Sequence, residues 1–405
     1  MRHRNKGRKI YKTKEKNYYG KSPIGKIFSA GLTVLLIGGI VFIGYSVAEP
    51  LLDLSKRKGD KTDKPANISD ELLQPTEAAT SADGGDSAGT APADTGKKKS
   101  DGTVSAFTLR ANDLQNVTAL NTALERITKD EAYDYVQVPL KVSGGNIYYA
   151  SGVYDTYLAG AVQSSITLDE IVTAVKAAGY KPAAYISTFC DHVLPDTFPD
   201  TGYKKITDGE LWLDNEYDSG GLPWTTPYSS AVQNYLSAIV EETAKAGFER
   251  IVCTDFVFPH FSETDLEILD TQLSRTDRYM ALTSAANMLY ETAASAGSRM
   301  MVEVSAVDIL AGCADVLQPM LLSANTIVVN IDAESIALGV YDGETLYEFS
   351  GSPSEMADKM LGFIDEKLEG LNVVIRLSGA STPTEDLVKA KDVIAGHGYK
   401  SYVIG

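Results

Sequence analysis

Two carboxylic acids near the ends of neighbouring predicted strands could act together on one bond. Asp255 closes the fourth β-branched run of the chain, and Glu303 lies within the fifth. Cleavage of a glycosidic bond needs two flanking carboxyl groups, one to protonate the leaving oxygen and one to attack or to activate water. This pattern predicts glycoside chemistry, with Asp255 as nucleophile or base and Glu303 as acid. The structural alternative is that each acid caps the next helix or pairs with Arg376 or Lys141.

Further polar and aromatic residues follow the predicted strands and could contact a substrate. Aromatic rings stack on sugar faces while polar neighbours bind hydroxyls, and a long loop at 190–226 carries such rings among Asp and Gly. Trp224 in this loop fits a binding platform and a structural wedge equally well. The predicted substrate-binding residues are Asp191, His192, Trp224, Tyr228, His260, Asn330 and Arg376.

A metal centre is a competing use of some of these residues. Asp191, His192, Asp255 and His260 follow the third and fourth strands, and histidine with carboxylate suits zinc. The chain has only four histidines, however, and lacks HxxxH and HExxH spacings. No metal is therefore predicted. No GxGxxG or GKS/T loop follows a strand, so no nucleotide cofactor is predicted either.

A repeated strand–helix pattern beyond Val104 must position these candidates. Eight runs rich in β-branched residues, separated by helical patterns, cover 105–110, 135–141, 182–188, 250–256, 299–305, 326–331, 372–377 and 401–404. They predict a (β/α)8 TIM-barrel-like single domain over 104–405, whose βα loops gather the candidates at the C-terminal rim. A doubly wound open sheet is the alternative, because strand number alone does not prove closure.

The helices of this pattern carry recognisable end signals. Thr167-Leu-Asp-Glu170 is a capping box that begins a helix ending at Gly179. Other helices are predicted over 114–128 and 228–246, and the second strand is predicted to extend through 144–146 into 147–150.

Charge and cysteine content exclude some classes of function. The net charge is −17, yet residues 1–26 carry ten Lys or Arg and one Glu, which leaves −26 for the remainder. A region with this net negative charge repels polyanions, so nucleic acid is not predicted as a partner. Cys190, Cys253 and Cys313 are too few and too scattered for a disulfide framework, and are predicted to be buried small hydrophobes.

The N-terminal region predicts a membrane anchor. Residues 27–48 contain no charge and no proline, and as a helix would span about 33 Å. The basic segment 1–26 directly precedes them, which predicts a cytoplasmic N-terminus and an extracellular C-terminal domain. Residues 49–103, rich in small and polar residues, are predicted to be a disordered linker. The alternative is a cleaved signal peptide, for which Ser46-Val47-Ala48 supplies small residues.

The middle third of the barrel region carries a set of recognisable segments. They are Gly179-Tyr-Lys-Pro-Ala-Ala-Tyr-Ile-Ser-Thr-Phe-Cys-Asp191, then Trp224, Pro227, Tyr228, Tyr235 and Glu242, then Gly247-Phe-Glu-Arg-Ile251, and Asp255-Phe-Val-Phe-Pro259. Residues 171–259 thereby resemble a family of glycosyl hydrolase-like barrels, formerly classed as a domain of unknown function and compared with α-amylase-like glycosidases. The resemblance implies that Asp255 is the strand-four acid, at the place of the nucleophile, and that Glu303 lies near the strand-five acid.

Two departures from the family pattern leave two functional hypotheses. Where the family has Asp-Tyr-Val-Arg-Phe-Pro, this chain has Asp255-Phe-Val-Phe-Pro259, without the arginine. Where the family has Ile-Asp-Val-Lys-Asp-Asp, the three acids are replaced by Pro139, Val142 and Ser143. The first hypothesis is a membrane-anchored glycoside hydrolase acting on a cell-envelope or environmental polysaccharide, in which Asp255→Asn or Glu303→Gln abolishes sugar release without altering stability. The second is an inactive barrel that binds a glycan or an envelope protein. Buried or diverging carboxyl groups would favour the second.

Overall fold

Strands and helices alternate along the part of the chain that the computed structural model describes, residues 103–127, 133–269, 273 and 278–405. The strands are β1 (Ser105–Thr108), β2 (Tyr135–Lys141), β3 (Lys181–Ser187), β4 (Arg250–Thr254), β5 (Arg299–Ser305), β6 (Ile327–Asp332), β7 (Val340–Tyr341), β8 (Leu346–Tyr347), β9 (Val373–Ser378) and β10 (Tyr402–Ile404). The α-helices are α1 (Val117–Glu125), α2 (Tyr154–Leu158), α3 (Leu168–Ala177), α4 (Val193–Thr197), α5 (Ser230–Lys245), α6 (Glu263–Ile268), α7 (Arg278–Ser295), α8 (Ala306–Ala311), α9 (Ala333–Ala337), α10 (Pro353–Leu368), α11 (Thr384–Lys389) and α12 (Lys391–Gly396).

Eight of these strands close into a parallel barrel in the order β1-β10-β9-β6-β5-β4-β3-β2. The ring is sealed where β1 pairs with β10, with Ser105 opposite Tyr402. The predicted parallel α/β-barrel is therefore confirmed, and the open-sheet alternative is wrong. Strands β7 and β8 form a separate antiparallel hairpin between β6 and α10.

Local signals place several elements well and miss others. Thr167 and Glu170 form the predicted capping box at the start of α3. The second strand ends at Lys141, and the predicted extension over 147–150 is reduced to isolated bridges from Ile147 to Lys141 and Val162. The long loop after β3 contains α4 and two 3-10 turns, Pro199–Thr201 and Tyr217–Ser219.

The alternation of side chains along the strands separates a hydrophobic core inside the barrel from a larger one between the strands and the helices. A polar layer lies inside the barrel, between the inner core and the C-terminal rim. Alternate strand positions point into the barrel, and their apolar members form one cluster: Val104, Ala106, Tyr135, Ala183, Val252, Met301, Val328, Val374 and Val403. The intervening positions, such as Ile251 and Cys253, pack against the helices in the larger outer core. Glu303 lies two residues after Met301 on the inward face of β5, and Arg376 lies two residues after Val374 on the inward face of β9. The barrel interior therefore becomes polar toward its C-terminal rim.

A smaller core supports the long loop after β3. It consists of Tyr203, Trp212, Phe261, Leu269 and Leu273, with Trp224 and Tyr228 packed at its edge. Trp212 is buried there, and its Nε1 donates a 2.8 Å hydrogen bond to Asp265. The loop thus holds its shape through its own apolar contacts.

The predicted cytoplasmic tail, the helix at 27–48 and nearly all of the predicted linker lie outside the described residues. Within the described ranges, no helix is both long enough and apolar enough to cross a bilayer.

Candidate active site

Glu303 lies inside the barrel in a buried ion pair. Its Oε2 is 3.0 Å from Nη1 of Arg376, and the two side chains are only 3% and 9% exposed. Its Oε1 accepts hydrogen bonds from the Tyr185 hydroxyl at 3.0 Å and from Thr254 Oγ1 at 3.4 Å. Each carboxylate oxygen is therefore already occupied by a protein donor. Neither oxygen is thus free to approach a leaving group.

Arg376 is held as a cation by the same cluster. Burial by itself would lower its pKa, but Glu303 and Tyr185 raise the pKa of Arg376 above its ordinary value. Its Nε donates to the carbonyl of Gly405 at 3.1 Å, and its guanidinium lies 4.4 Å from the centre of the Tyr185 ring. Burial raises the pKa of Tyr185, although Arg376 opposes this, so the Tyr185 hydroxyl remains a donor to Glu303. The structural pairing of Glu303 with Arg376, one of the alternatives posed from sequence, is confirmed.

Asp255 differs from Glu303 in both backbone and electrostatics. It follows β4 with φ of 59°, and among the described residues it is the only non-glycine with positive φ. Such backbone strain in a non-glycine residue is often found at functional sites. Its Oδ2 accepts a 2.5 Å hydrogen bond from Ser187 Oγ. Burial raises the pKa of Asp255, and Glu303 adds to the effect, while Ser187 and Lys141 oppose it. The electrostatics therefore favour the protonated form of Asp255 more than in a free aspartic acid.

Asp191 and Lys141 form a second buried ion pair at the same rim. Asp191 Oδ2 is 3.0 Å from Lys141 Nζ, and the side chains are 1% and 0% exposed. Lys141 also donates to the carbonyl of Ser187 at 3.0 Å, and Asp191 Oδ1 accepts the N–H groups of Val193 and Leu194 at 3.0 Å each. This carboxylate anchors the start of α4 and is closed off from solvent. The predicted contact between Asp191 and a substrate does not fit that placement, because the carboxylate is buried and bonded to three protein groups.

A cavity of about 930 Å³ opens at the C-terminal rim, on the side of β1, β9 and β10. Two of the predicted substrate-binding residues, Asn330 and Arg376, line it. Other polar groups that line it are Arg110, Asp113, Asp332, Ser378, Thr382 and Glu385, and its aromatic members are Phe107 and Tyr185. Glu303 is separated from this space by its partners Tyr185 and Arg376, and neither it nor Asp255 lines the wall.

Asp332 is an acid of the cavity wall whose two carboxylate oxygens both accept hydrogen bonds. Its Oδ1 accepts the backbone N–H of Ser335 at 2.8 Å and so caps α9, and its Oδ2 accepts Ser378 Oγ at 3.0 Å. Partial burial would raise its pKa, but these hydrogen bonds from Ser335 and Ser378 hold the pKa of Asp332 below its usual range. Ser378 Oγ also lies 2.8 Å from Asn330 Oδ1. The wall therefore presents an ionised acceptor beside an amide and a hydroxyl.

The remaining predicted binding residues lie elsewhere. His192 Nδ1 is 2.8 Å from the carbonyl of Pro223, its ring meets the Trp224 ring edge-on at 5.1 Å, and Trp224 Nε1 donates to Asp214 at 2.9 Å. Tyr228 packs against Phe258 at 5.9 Å, and His260 is exposed. None of these four predicted residues lines the cavity.

The residues considered for zinc do not come together. Asp191 faces Lys141, Asp255 faces Ser187, and His192 faces a backbone carbonyl. Within the described ranges, no three or more His, Cys, Asp or Glu side chains are grouped in a way that could hold a metal ion.

Sequence reasoning missed Tyr185 and Ser378, and it placed Asp332 at a strand end without assigning it a contact with substrate. The available signal was the period of two along each strand: counting back from Ser187 gives Tyr185, and counting on from Asn330 and Arg376 gives Asp332 and Ser378. These inward positions form the part of the lining that comes from β3, β6 and β9.

Among solved structures, the chain is similar to several glycoside hydrolases. The glycoside hydrolase domain of PgaB (BpsB) from Bordetella bronchiseptica is 13% identical, with a TM-score of 0.51 over 74% of this chain and 92% of that chain. An α-galactosidase from Thermus thermophilus is 11% identical, with a TM-score of 0.46 over 76% of this chain and 58% of that chain. A hypothetical protein from Ruminiclostridium thermocellum is 19% identical, with a TM-score of 0.39 over 48% of this chain and 96% of that chain.

The similarity to the PgaB domain, at 13% identity and a TM-score of 0.51, shows a shared fold. No curated protein matches the chain. Residues 107–334, more than half of the chain, match the family described as "Putative glycosyl hydrolase domain". The match spans β1 to β6 and includes Asp255, Glu303 and Asp332. The chain therefore belongs to this glycosyl hydrolase domain family.

Proposed function

We propose that the barrel binds a glycan in the rim cavity, as an extracellular domain tethered to the membrane through residues 27–48. The observation that carries the proposal is the cavity itself, whose lining combines the aromatic rings of Phe107 and Tyr185 with hydrogen-bond donors and acceptors. Carbohydrate sites combine these two features, because sugar rings have apolar faces and hydroxyl edges. Membership of a glycosyl hydrolase family supports the choice of a glycan.

The charges of the cavity favour a neutral or weakly charged glycan. The lining carries three arginines, Arg110, Arg126 and Arg376, and three acids, Asp113, Asp332 and Glu385. Arg376 also pairs with the buried Glu303, and Arg126 pairs with Asp113 at 2.9 Å. The ionised carboxylate of Asp332 and the amide of Asn330 remain as groups that a sugar hydroxyl can approach. A polyanionic polymer would also be repelled by the acidic remainder of the chain.

Binding without hydrolysis follows from the state of the two predicted catalytic acids. Glycoside hydrolysis needs one proton donor and one nucleophile or base on either side of the same bond. Glu303 is buried and bonded on both oxygens, and neither acid lines the cavity. The barrel is therefore built to recognise a glycan without supplying both groups to a bond in that space.

Hydrolysis is retained as a second candidate because of Asp255 alone. Its strained backbone and raised pKa are the properties of a proton donor, and such properties cluster at active sites. In that case Asp255 would protonate the leaving oxygen, and a second carboxylate would have to come from the cavity wall, where Asp332 is held ionised.

One set of variants tests both candidates. The full chain in detergent is screened on a glycan array, and any hit is measured by calorimetry and examined for released sugar. Asn330→Ala should weaken binding about five- to tenfold, because it removes a hydrogen-bonding group worth roughly 1 kcal/mol. Asn121→Ala, on the exposed face of α1, is the matched control and should leave affinity unchanged.

Product analysis then separates binding from turnover. If the chain binds the glycan and releases no sugar, the binding proposal is upheld. If sugar is released and Asp255→Asn abolishes the release, the hydrolase is correct and the binding-only proposal fails. If Asn330→Ala and Asn121→Ala bind equally well, the cavity is not the site.

A further inference from the structure

A thiol, an imidazole and a hydroxyl meet in the loops after β2 and β3, outside the glycan cavity. Cys190 Sγ lies 3.9 Å from His192 Nε2 and 2.9 Å from Ser143 Oγ. Cys190 and His192 are both partly exposed, so small molecules can reach them. Neither the barrel core nor the cavity wall uses this cluster.

The backbone around Asp191 sets the two side chains next to each other. Asp191 is buried against Lys141, whereas Cys190 and His192 on either side of it are partly exposed. The turn after β3, closed by the hydrogen bond from the N–H of Asp191 to the carbonyl of Phe189 at 2.9 Å, fixes the backbone that carries both side chains. The N–H of Gly144 donates to the carbonyl of Cys190 at 2.8 Å, which fixes the loop that carries Ser143 against the same segment. The cluster therefore rests on a buried ion pair and is not a chance approach of two mobile loops.

The hydrogen bond to Pro223 selects the tautomer of His192. A backbone carbonyl only accepts, so the Nδ1 that lies 2.8 Å from it must carry the hydrogen. In the neutral ring the lone pair is then on Nε2, the nitrogen that faces Cys190 Sγ. The edge-on contact with Trp224, itself held by Asp214, keeps the ring in this orientation.

This arrangement is that of an activated nucleophile. A base within reach of the thiol, held in place by a third group, removes the thiol proton, and the hydroxyl of Ser143 can donate to the sulfur that remains. The charged and titratable groups facing the imidazole are Cys190 and Asp214, and both raise the pKa of His192, against the effect of its partial burial.

We propose that Cys190 is a nucleophilic thiol, with His192 as its base, that forms mixed disulfides with low-molecular-mass disulfides. The thiolate attacks one sulfur of the disulfide, the new Sγ–S bond forms as the old S–S bond breaks, and the other sulfur leaves as a thiolate. That leaving group takes up the proton removed from Cys190. Cys190 is thereby oxidised to a disulfide sulfur, and the departing sulfur is reduced to a thiol, so atoms and electrons balance.

The chain provides its own comparison cysteines. Cys253 is fully buried in the outer core, and its burial raises the pKa of the thiol to about 12. Cys313 is partly exposed like Cys190, but burial and the neighbouring Asp308 raise its pKa to about 12. A thiol beside a carboxylate and a thiol beside an imidazole should therefore differ greatly in rate although their exposure is similar.

The test uses the full chain in detergent and dithiodipyridine, an uncharged aromatic disulfide whose released thione is followed by absorbance. One fast equivalent is expected, and peptide mass spectrometry of the wild-type chain should place it on Cys190. Cys313→Ser should keep the fast phase, and Cys190→Ser should remove it. Labelling of Cys313 before Cys190 would overturn the proposal without any variant being needed.

The role of His192 has a separate readout in the pH profile. His192→Gln should slow the fast phase about tenfold near neutral pH, because the variant lacks the base that removes the thiol proton. The rates of the two proteins should converge at alkaline pH, where the thiol ionises without help. A purely structural role would lower the rate equally at every pH, and that result would refute the assignment of His192 as base.

Discussion

The buried Glu303–Arg376 ion pair predicts that Glu303→Gln lowers the stability of the barrel, although the sequence alone provided no reason to expect this. Both side chains are almost completely buried, and Glu303 Oε2 lies 3.0 Å from Arg376 Nη1. Removing one partner of such a pair lowers the free energy of unfolding by about 3–5 kcal/mol. The glutamine oxygen can still accept from Tyr185, but its amide group would then meet the guanidinium donor to donor. At about 2 °C per kcal/mol for a domain of this size, the melting temperature should fall by roughly 6–10 °C.

Urea unfolding and thermal melts of the full chain in detergent measure this loss. Asp386→Asn is the matched control, because it removes an acid from the exposed pair with Lys389 at 2.7 Å and should change stability by less than about 0.5 kcal/mol. In a double-mutant cycle, Glu303→Gln with Arg376→Met should cost less than the sum of the single variants, since no buried charge remains unpaired. A loss below about 1 kcal/mol for Glu303→Gln, with additive single effects, would refute the buried-pair reasoning.

Two further predictions concern other parts of the barrel. His397 lies between two acids, with Nδ1 at 2.6 Å from Asp365 Oδ2 and Nε2 at 3.1 Å from Asp358 Oδ1. Burial lowers the pKa of His397, but the two acids raise it above the ordinary 6.5. Because the folded pKa is the higher one, this stabilisation is complete below about pH 6.5 and is lost as pH rises through the folded value. The stability difference between wild type and His397→Gln should shrink over that window, and a difference that grows with pH would contradict the sign. Gly145→Ala would bring a Cβ to 2.7 Å from Asp191 Cγ, whereas Gly209→Ala, also at positive φ, meets open space. Gly145→Ala should therefore be the more destabilising by about 1–3 kcal/mol in urea titrations, and equal losses would show that backbone strain alone decides.

The barrel was predictable from sequence because its signals are local and repeated. Each strand is a short β-branched run bounded by turn residues, and the Thr167 capping box needs only four residues to specify a helix start. Strand ends moved by one or two residues, and the segment at 147–150 failed because its β-branched and aromatic composition is satisfied by isolated bridges and burial rather than by a ladder.

The site was less predictable because its chemistry depends on which partner each charge finds. Glu303 and Arg376 lie on β5 and β9, the two strands on either side of β6, and both side chains point into the barrel. The sequence gives the strands, but it does not say which inward side chains pair. The same applies to Lys141 and Asp191, which lie on β2 and just after β3. Asp191 was expected to meet a substrate and is instead enclosed by protein, whereas Asn330 and Arg376 do reach the cavity.

Closure of the barrel by β1 and β10 also constrains how the chain can fold. The hydrogen bond from Val104 to Ser401 joins residues 297 positions apart, and β1 has no other parallel neighbour than β2 until β10 arrives. Contacts of such long range slow folding, although the entropy of closing a loop grows only with the logarithm of its length. Nearly the whole barrel must therefore be synthesised before its ring can seal and its polar interior can be withdrawn from water.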